Sequence, residues 1–468
     1  MNIRTTIMLA AGLVLGGMGA AAAKVPQAEA DKLRNGELTP LGGKRAGNEA
    51  GTIPAWDGGL TEIPESAKRQ GYVSRKGEHV RDPFPEDEPL FTITADNLDE
   101  HRDKLTAGQI ALFDFFDEYK MPVYRTRRTA AKPQFVYDEV YRNALEAELV
   151  DNGEGLSGAR MGVPFPIPQS GREVIWNHKV RWRGLAATRW NNQFPVTSNG
   201  SFNPVKLKED VYFVYSDPDV TREAITEENI IIYFLQVIRA PARLAGQILL
   251  VHETANQVQE VRRAWLYNPG QRRIRRAPNV GYDNPGTASD GLRTNDQLDM
   301  FNGAMDRYTW KLVGKREIYV PYNAYRIHSP ELDYDDIIQA RHIDQDLTRY
   351  ELHRVWVVEA HVREGTSHVY KRRTFYVDED SWQIMAVDNY DQRDQLWRVQ
   401  EGHQVQAYDP DFYLTQGIVC HTIYDLQNSR YMALALNNED DETMVIEDQI
   451  DDPQRYFNPR TINRFAFK

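Results

Sequence analysis

From about residue 179 onward the chain breaks into short runs of strand-forming residues parted by turn residues, a pattern that antiparallel sheet satisfies and helix does not. Strands are expected over 186–191, 211–215, 230–238, 247–252, 261–267, 312–320, 353–362, 368–377 and 383–389. Glu364-Gly365 and Asp378-Glu379-Asp380 read as tight links between consecutive strands. Links that short pair neighbours antiparallel, and a meander built from them curls readily.

One hairpin in this region is chemically distinctive. The outgoing run carries Trp265 and Tyr267, Asn268-Pro269-Gly270 supply the turn, and Arg272, Arg273, Arg275 and Arg276 return around Ile274. It contains no nucleophile, metal cluster or phosphate loop. Aromatic rings beside guanidinium groups suit an amphipathic molecule with an apolar body and an anionic head. The alternative is that the rings are core and the arginines a solvated edge that discourages aggregation. Strand alternation puts Arg272 and Arg276 on the face of Ile274, with Arg273 and Arg275 on the other.

Upstream the pattern is different. Residues 94–178 form a helical section, in which Thr106 with Gln109 and Ser170 with Glu173 make capping boxes and Pro133 stands at a helix start. Residues 24–93 are rich in Gly and Pro and lack periodicity, so they form an irregular arm wrapped on the body and pinned by Ile53 and Trp56. Residues 179–468 then make a curved antiparallel body with helical insertions and a C-terminal extension. The acidic run 437–442 reads as a solvated loop.

The first residues set the compartment. Arg4, an apolar run over 7–15 and Ala21-Ala22-Ala23 before Lys24 match a cleavable secretory signal over 1–23. With no cysteine near the cleavage site, a lipid anchor has no acceptor, so a periplasmic protein beginning near Lys24 is expected. The formal charge of -12 argues against a nucleic-acid partner. Cys420 is the single cysteine, which excludes an internal disulfide and leaves stability to burial.

Reaction chemistry has little support. Glu359, His361 and His368 come together if Glu364-Gly365 is a two-residue loop, and they are the best metal constellation in the chain; solvent-facing or internally bonded histidines are the commoner alternative. Asp296, Asp299 and Asp306 lack the spacing of a calcium loop and read as structural. No GxSxG elbow, phosphate loop or dinucleotide glycine pattern occurs. Neither cofactor nor metal is expected, and the chain reads as a non-enzyme.

Several blocks, in one order, carry a family resemblance: LTPLGGKRAGNEAGTIPAWDGGL, GVPFPIP with EVIWNH, RRIRRAPNVGYDNP, DRYTWKLVGKREIYVPYN, and HRVWVVEAH running on to KRRTFYVDEDSWQI and LWRV. Together they resemble the bacterial domain of unknown function family 1329, which is similar to the outer-membrane lipoprotein-sorting carriers. The resemblance implies an α+β fold: an open, strongly curved antiparallel sheet, or incomplete β-barrel, wrapped over helices around an apolar hollow. It also implies work beside an inner-membrane resistance-nodulation-division exporter and an outer-membrane partner. The expected function is a periplasmic carrier or adaptor for a lipid-like ligand. Trp176, Trp190, Trp265, Tyr267, Trp310 and Trp356 are its expected apolar wall, and Arg272, Arg273, Arg275 and Arg276 contact the head group or a partner. The alternatives are an adaptor or sensor that binds a protein segment and, from another class, a hydrolase whose polar constellation the spacing hides.

Overall fold

The computed structural model describes residues 24–72, 77–277, 282–410, 413–441, 444–445 and 450–466. The expected leader and residues 278–281 of the arginine block lie outside the described residues.

The strands run in chain order β1 (Phe91–Ile93), β2 (Met121–Val123), β3 (Glu148–Val150), β4 (Gly155–Ser157), β5 (Ala186–Trp190), β6 (Asn192–Val196), β7 (Lys206–Tyr212), β8 (Ile232–Ala240), β9 (Ile248–Glu253) and β10 (Arg263–Asn268). They continue as β11 (Arg273–Arg276), β12 (Tyr308–Pro321), β13 (Tyr350–Val362), β14 (Arg372–Asp378), β15 (Ile384–Tyr390), β16 (Leu396–Asp409), β17 (Tyr413–Asp425), β18 (Arg430–Leu436) and β19 (Met444–Val445). One sheet has the order β1-β2-β13-β14-β15-β16-β17-β18-β6, with β12 on the other side of β13. The second has the order β11-β10-β9-β8-β7-β5-β19.

The two sheets meet at a bent strand. Only Asn191 separates β5 from β6, so the chain over 186–196 leaves one sheet and enters the other. The Asn191 N–H donates to the Leu207 carbonyl at 3.0 Å, and Gln193 bridges Val205, which keeps the corner paired. Among the described residues the wall does not close, since β11 ends one sheet and β1 the other. The fold is therefore α+β, an open curved antiparallel wall with helices against it.

Local sequence explains the helices. Thr106 Oγ1 accepts from the Gln109 N–H at 2.9 Å while Gln109 Oε1 accepts from the Thr106 N–H at 3.0 Å, starting the helix Ala107–Phe115 that lies on β15 and β16. Ser170 and Glu173 do the same for the helix Gly171–Val180, which lies on β12 and β13. Pro133 caps the helix Gln134–Glu146 from just outside it, a position that asks for no N–H.

Three expectations need correction. The long strands β16, β17 and β18 were not expected, because polar residues such as Gln400, Glu401, His403 and Gln404 break their apolar pattern while being buried. The acidic run is not wholly solvated: Asp440 accepts from Asn192 Nδ2 at 2.6 Å and from Lys206 Nζ at 2.9 Å, pinning the segment to the bent strand. The link between β13 and β14 is longer than two residues, and His361 pairs with Arg372 rather than with His368.

Charge holds the N-terminal segment against the body. Arg128 and Arg354 each donate to the Lys44 carbonyl at 2.9 Å, and Arg354 also to that of Ala46 at 2.8 Å. Asp380 grips Arg128 at 2.6 and 2.7 Å and Glu379 takes Arg354 at 2.6 Å, so each buried guanidinium has a carboxylate. Gly42 has φ +92°, and a Cβ there would stand 1.8 Å from the Pro166 carbonyl oxygen, so this close approach requires glycine. Trp56 is 7% exposed and its indole N–H donates to the Ala130 carbonyl at 3.1 Å. Trp56→Ala should lower stability by about 3 to 5 kcal/mol in a urea melt; an unchanged midpoint would show that the arm contributes nothing to the fold.

Candidate functional site

Strand alternation gives the second sheet two different faces. On β8, Tyr233, Leu235 and Val237 turn outward to a core shared with Phe457, Ile462 and Phe465 of the C-terminal extension. The intervening Ile232, Phe234 and Gln236 turn to the concave side. There they join Val211 and Phe213, Leu249 and Val251 of β9 and Ala264 of β10 along a cavity of about 1030 Å³, open solvent included. A strap over residues 287–302 covers it, contributing Arg293, Leu298 and Phe301.

Ion pairs fasten the strap. Asp299 Oδ1 and Oδ2 accept from Arg181 Nη2 and Arg183 Nη1, both at 2.7 Å. Its carbonyl lies 2.8 Å from Nε2 of the buried His178. Asp296, 1% exposed, accepts from Arg373 Nη1 at 2.6 Å and lies 3.1 Å from His368 Nε2. Lys179 Nζ donates to the Gly303 carbonyl at 2.8 Å, and Arg262 Nη2 to the Asn302 carbonyl at 2.7 Å. Burial alone would raise the two aspartyl groups; Arg181 with Arg183, and Arg373 with His368, overcome it and hold both well below the usual carboxylate range.

The electrostatics of the cavity are lopsided. Lys179, Arg183, Arg189, Arg262 and Arg293 line it against Glu253 and Asp299. Burial pushes the Lys179 ammonium down to about 8, with Glu253 opposing the fall. A second, more polar chamber shares Arg183, Arg189, Leu298 and Asp299 with the first and continues to Arg181, Asn191, Gln416 and His421. An apolar wall that ends in cations can hold an amphiphile.

None of the ten residues expected to bind a ligand is among those that line this cavity. Trp176 is fully buried core, its indole N–H donating to the Gly153 carbonyl at 3.0 Å. Trp265 and Tyr267 face outward, into the core under the C-terminal extension. Trp190 is half-buried at the end of β5. Trp356 stacks on Trp382 with ring centres 6.3 Å apart, beneath the Lys315 ammonium. Trp310 supports the strap from behind, 5.5 Å from the ring of cavity-lining Phe301. Arg272 occupies the turn at φ +51° instead of the strand, while Arg273, Arg275 and Arg276 are exposed. Arg275 pairs with Leu266, and Leu266 shares the face of Ala264, so Arg273 and Arg275 stand on the cavity side. Arg276 pairs with Trp265 on the outer side.

The expected metal trio does not assemble. His361 is exposed beside Glu359, whereas His368 is buried against Asp296. His353, Asp378 and Asp380 do present ligand atoms within 4.8 Å of one another. Both Asp380 oxygens, however, are occupied by Arg128, and Asp378 Oδ2 accepts from Ser381 and Tyr322, so this donor set belongs to the anchorage of the arm.

The open β wall encloses a roofed, cation-lined apolar cavity. The chain belongs to the DUF1329 family, whose model, described as a protein of unknown function, matches residues 92–463. An uncharacterised protein of Pseudomonas aeruginosa is 49% identical over 89% of this chain and 89% of its own length. Among solved structures, a DUF1329 family protein from Desulfovibrio piger is 13% identical, covering 58% of this chain and 90% of its own, with a TM-score of 0.39. A LolA superfamily protein from Nitrosomonas europaea is 11% identical, covering 62% and 98%, with a TM-score of 0.34.

The clamp has a calculable weight. Asp296→Asn leaves the fully buried Arg373 without its carboxylate, at a cost of about 3 to 5 kcal/mol. Because the folded carboxyl is depressed, that contribution is complete above the ordinary value of 3.8 and is lost as pH falls below it. Urea melts should therefore show the same penalty at pH 7 and pH 5; a penalty that vanishes by pH 5 would contradict the assignment.

Proposed function

We propose that this protein is a periplasmic carrier that shields a hydrophobic or amphipathic molecule in the strap-covered cavity. The observation that carries the reading is the continuous apolar face of Val211, Phe213, Phe234, Leu249 and Val251 turned inward under a separately clamped roof. Apolar area placed there leaves water with a gain of about 25 cal/mol per Å². Such binding needs no cofactor and no chemical step. The N-terminal leader read from the sequence supplies the export route, and no helix among the described residues is long and apolar enough to cross a membrane.

The arginine hairpin takes a different part in this reading. β11 ends its sheet, and an end strand offers unpaired backbone groups to a partner strand. Its exposed arginines would steer an acidic partner segment, such as one on an inner-membrane exporter. Arg273 and Arg275, on the cavity side, would also draw anionic ligands toward the mouth without holding them.

Titration with a fluorescent acyl probe tests the carrier reading. The native protein should bind it, and Phe234→Glu, which places a charge in the apolar wall, should weaken binding at least about tenfold while Arg272→Gln with Arg276→Gln leaves it unchanged. Leu249→Gln, a milder change in the same wall, gives a second measure should Phe234→Glu fold poorly. Absence of binding by the native protein, or full binding by both wall variants, would remove the cavity from the account.

A further inference from the structure

Arg293 is a cavity-lining cation that has, among the described residues, neither a carboxylate partner nor a short hydrogen bond. It is 5% exposed, and among the described residues no carboxylate lies within ion-pair distance of it. Its guanidinium is held only by neutral acceptors at the long end of hydrogen bonding: Gln193 Oε1 at 3.3 and 3.4 Å and the Thr294 carbonyl at 3.4 Å. The acid whose charge it feels, Glu209, is committed elsewhere. One Glu209 oxygen takes Arg189 at 2.9 Å and Asn191 at 3.0 Å, and the other takes Gln236 at 2.8 Å.

Three of the other four cavity cations have a carboxylate partner. Arg183 has Asp299, Arg189 has Glu209 and Arg262 has Glu253, each within 2.9 Å. Lys179, which has no carboxylate partner either, donates instead to the Gly303 carbonyl at a short 2.8 Å. Local backbone also makes room for Arg293: a Cβ on Gly286 would stand 2.3 Å from its Nη1. A buried guanidinium without a counter-charge is costly, and burial here pushes it down to about 10. A fold that keeps such a group at the wall of an apolar cavity gains from it when an anion arrives.

We propose that Arg293 is the head-group reader of the cavity, and that the cargo is an acyl amphiphile with an oxyanion head, a carboxylate or a phosphate, that pairs with this guanidinium. The inference rests on the carrier reading and narrows it. The acyl body would lie along Phe234, Leu249 and Val251, with the head toward Arg293 and the polar chamber that opens past Arg189. The planar fork of arginine matches either oxyanion in a two-point contact.

The test compares three single-chain probes: palmitate, a lysophosphatidic acid and a neutral monoacylglycerol. The native protein should prefer at least one anionic probe to the neutral one by about tenfold to a hundredfold, and the preference should survive 0.5 M salt because the pair is buried. Whether palmitate or the lysophosphatidic acid gains more tells carboxylate from phosphate. Arg293→Gln should erase the preference and leave monoacylglycerol binding unchanged. Gly286→Ala, which displaces the guanidinium but keeps the charge, should weaken the preference in the same direction.

A purely structural Arg293 would behave otherwise. Removing an uncompensated buried cation should leave the melting temperature of the ligand-free protein equal or higher, whereas loss of a structural tie lowers it. Equal losses for anionic and neutral probes in Arg293→Gln, or no preference in the native protein, would overturn the head-group assignment and leave the carrier reading standing. Failure of all three probes to bind the native protein would overturn both.

Discussion

The cavity depends on carboxylates of one irregular segment reaching cations of the body. Asp299 divides its two oxygens between Arg181 and Arg183, and Asp296 meets Arg373 and His368. Residues 282–302 have almost no ladder of their own beyond the isolated bridge of Pro285 with Thr294. These pairs, with the Arg262 bond to the Asn302 carbonyl and the Lys179 bond to the Gly303 carbonyl, keep Phe301 and Leu298 over the apolar face. The pairs survive burial because each carboxylate has more than one donor, which offsets the cost of removing the charges from water.

The same device appears at the arm, where Arg128 and Arg354 bind peptide carbonyls while Asp380 and Glu379 match their charge. Both segments lack periodicity and neither could bury enough apolar surface alone. The regular part of the molecule supplies a bent wall, in which the strand over 186–196 carries one sheet into the next. The concave side of that bend is where the cavity forms, with the strap as its roof and the helix Gly171–Val180 contributing Lys179 at its floor.

The sequence made some of this legible. Capping boxes at Thr106 and Ser170, the hairpin at Asn268-Pro269-Gly270 and the pinning of the arm by Trp56 follow from local chemistry that tertiary structure did not override. The strands β16 to β18 were hidden because Gln400, Glu401 and His403 are buried, Gln400 against His421 and Glu401 against Gln109, Tyr119 and Tyr350, which a polar pattern cannot reveal. The residues expected as an apolar wall do not line the cavity, for a related reason. Tryptophans drew attention, yet Trp176 and Trp265 serve cores, and the cavity is lined by Phe213, Phe234 and Phe301. A signal existed in IYFLQVIRA and ILLVHE, runs apolar on both faces, which say that β8 and β9 are covered on both sides. What covers the second face could not be read, because the strap is held by Asp296 and Asp299, whose partners are distant in sequence.

The central claim is that this cavity carries a small amphiphile in the cell. Native mass spectrometry of the protein purified without detergent from its own host tests it most directly. The account predicts an added mass that departs on mild activation and is identified, after extraction, as a single-chain or lipid-like amphiphile, with the adduct absent from Phe234→Glu. A protein that leaves its host with no adduct under these conditions, or with one that Phe234→Glu retains in full, would contradict it.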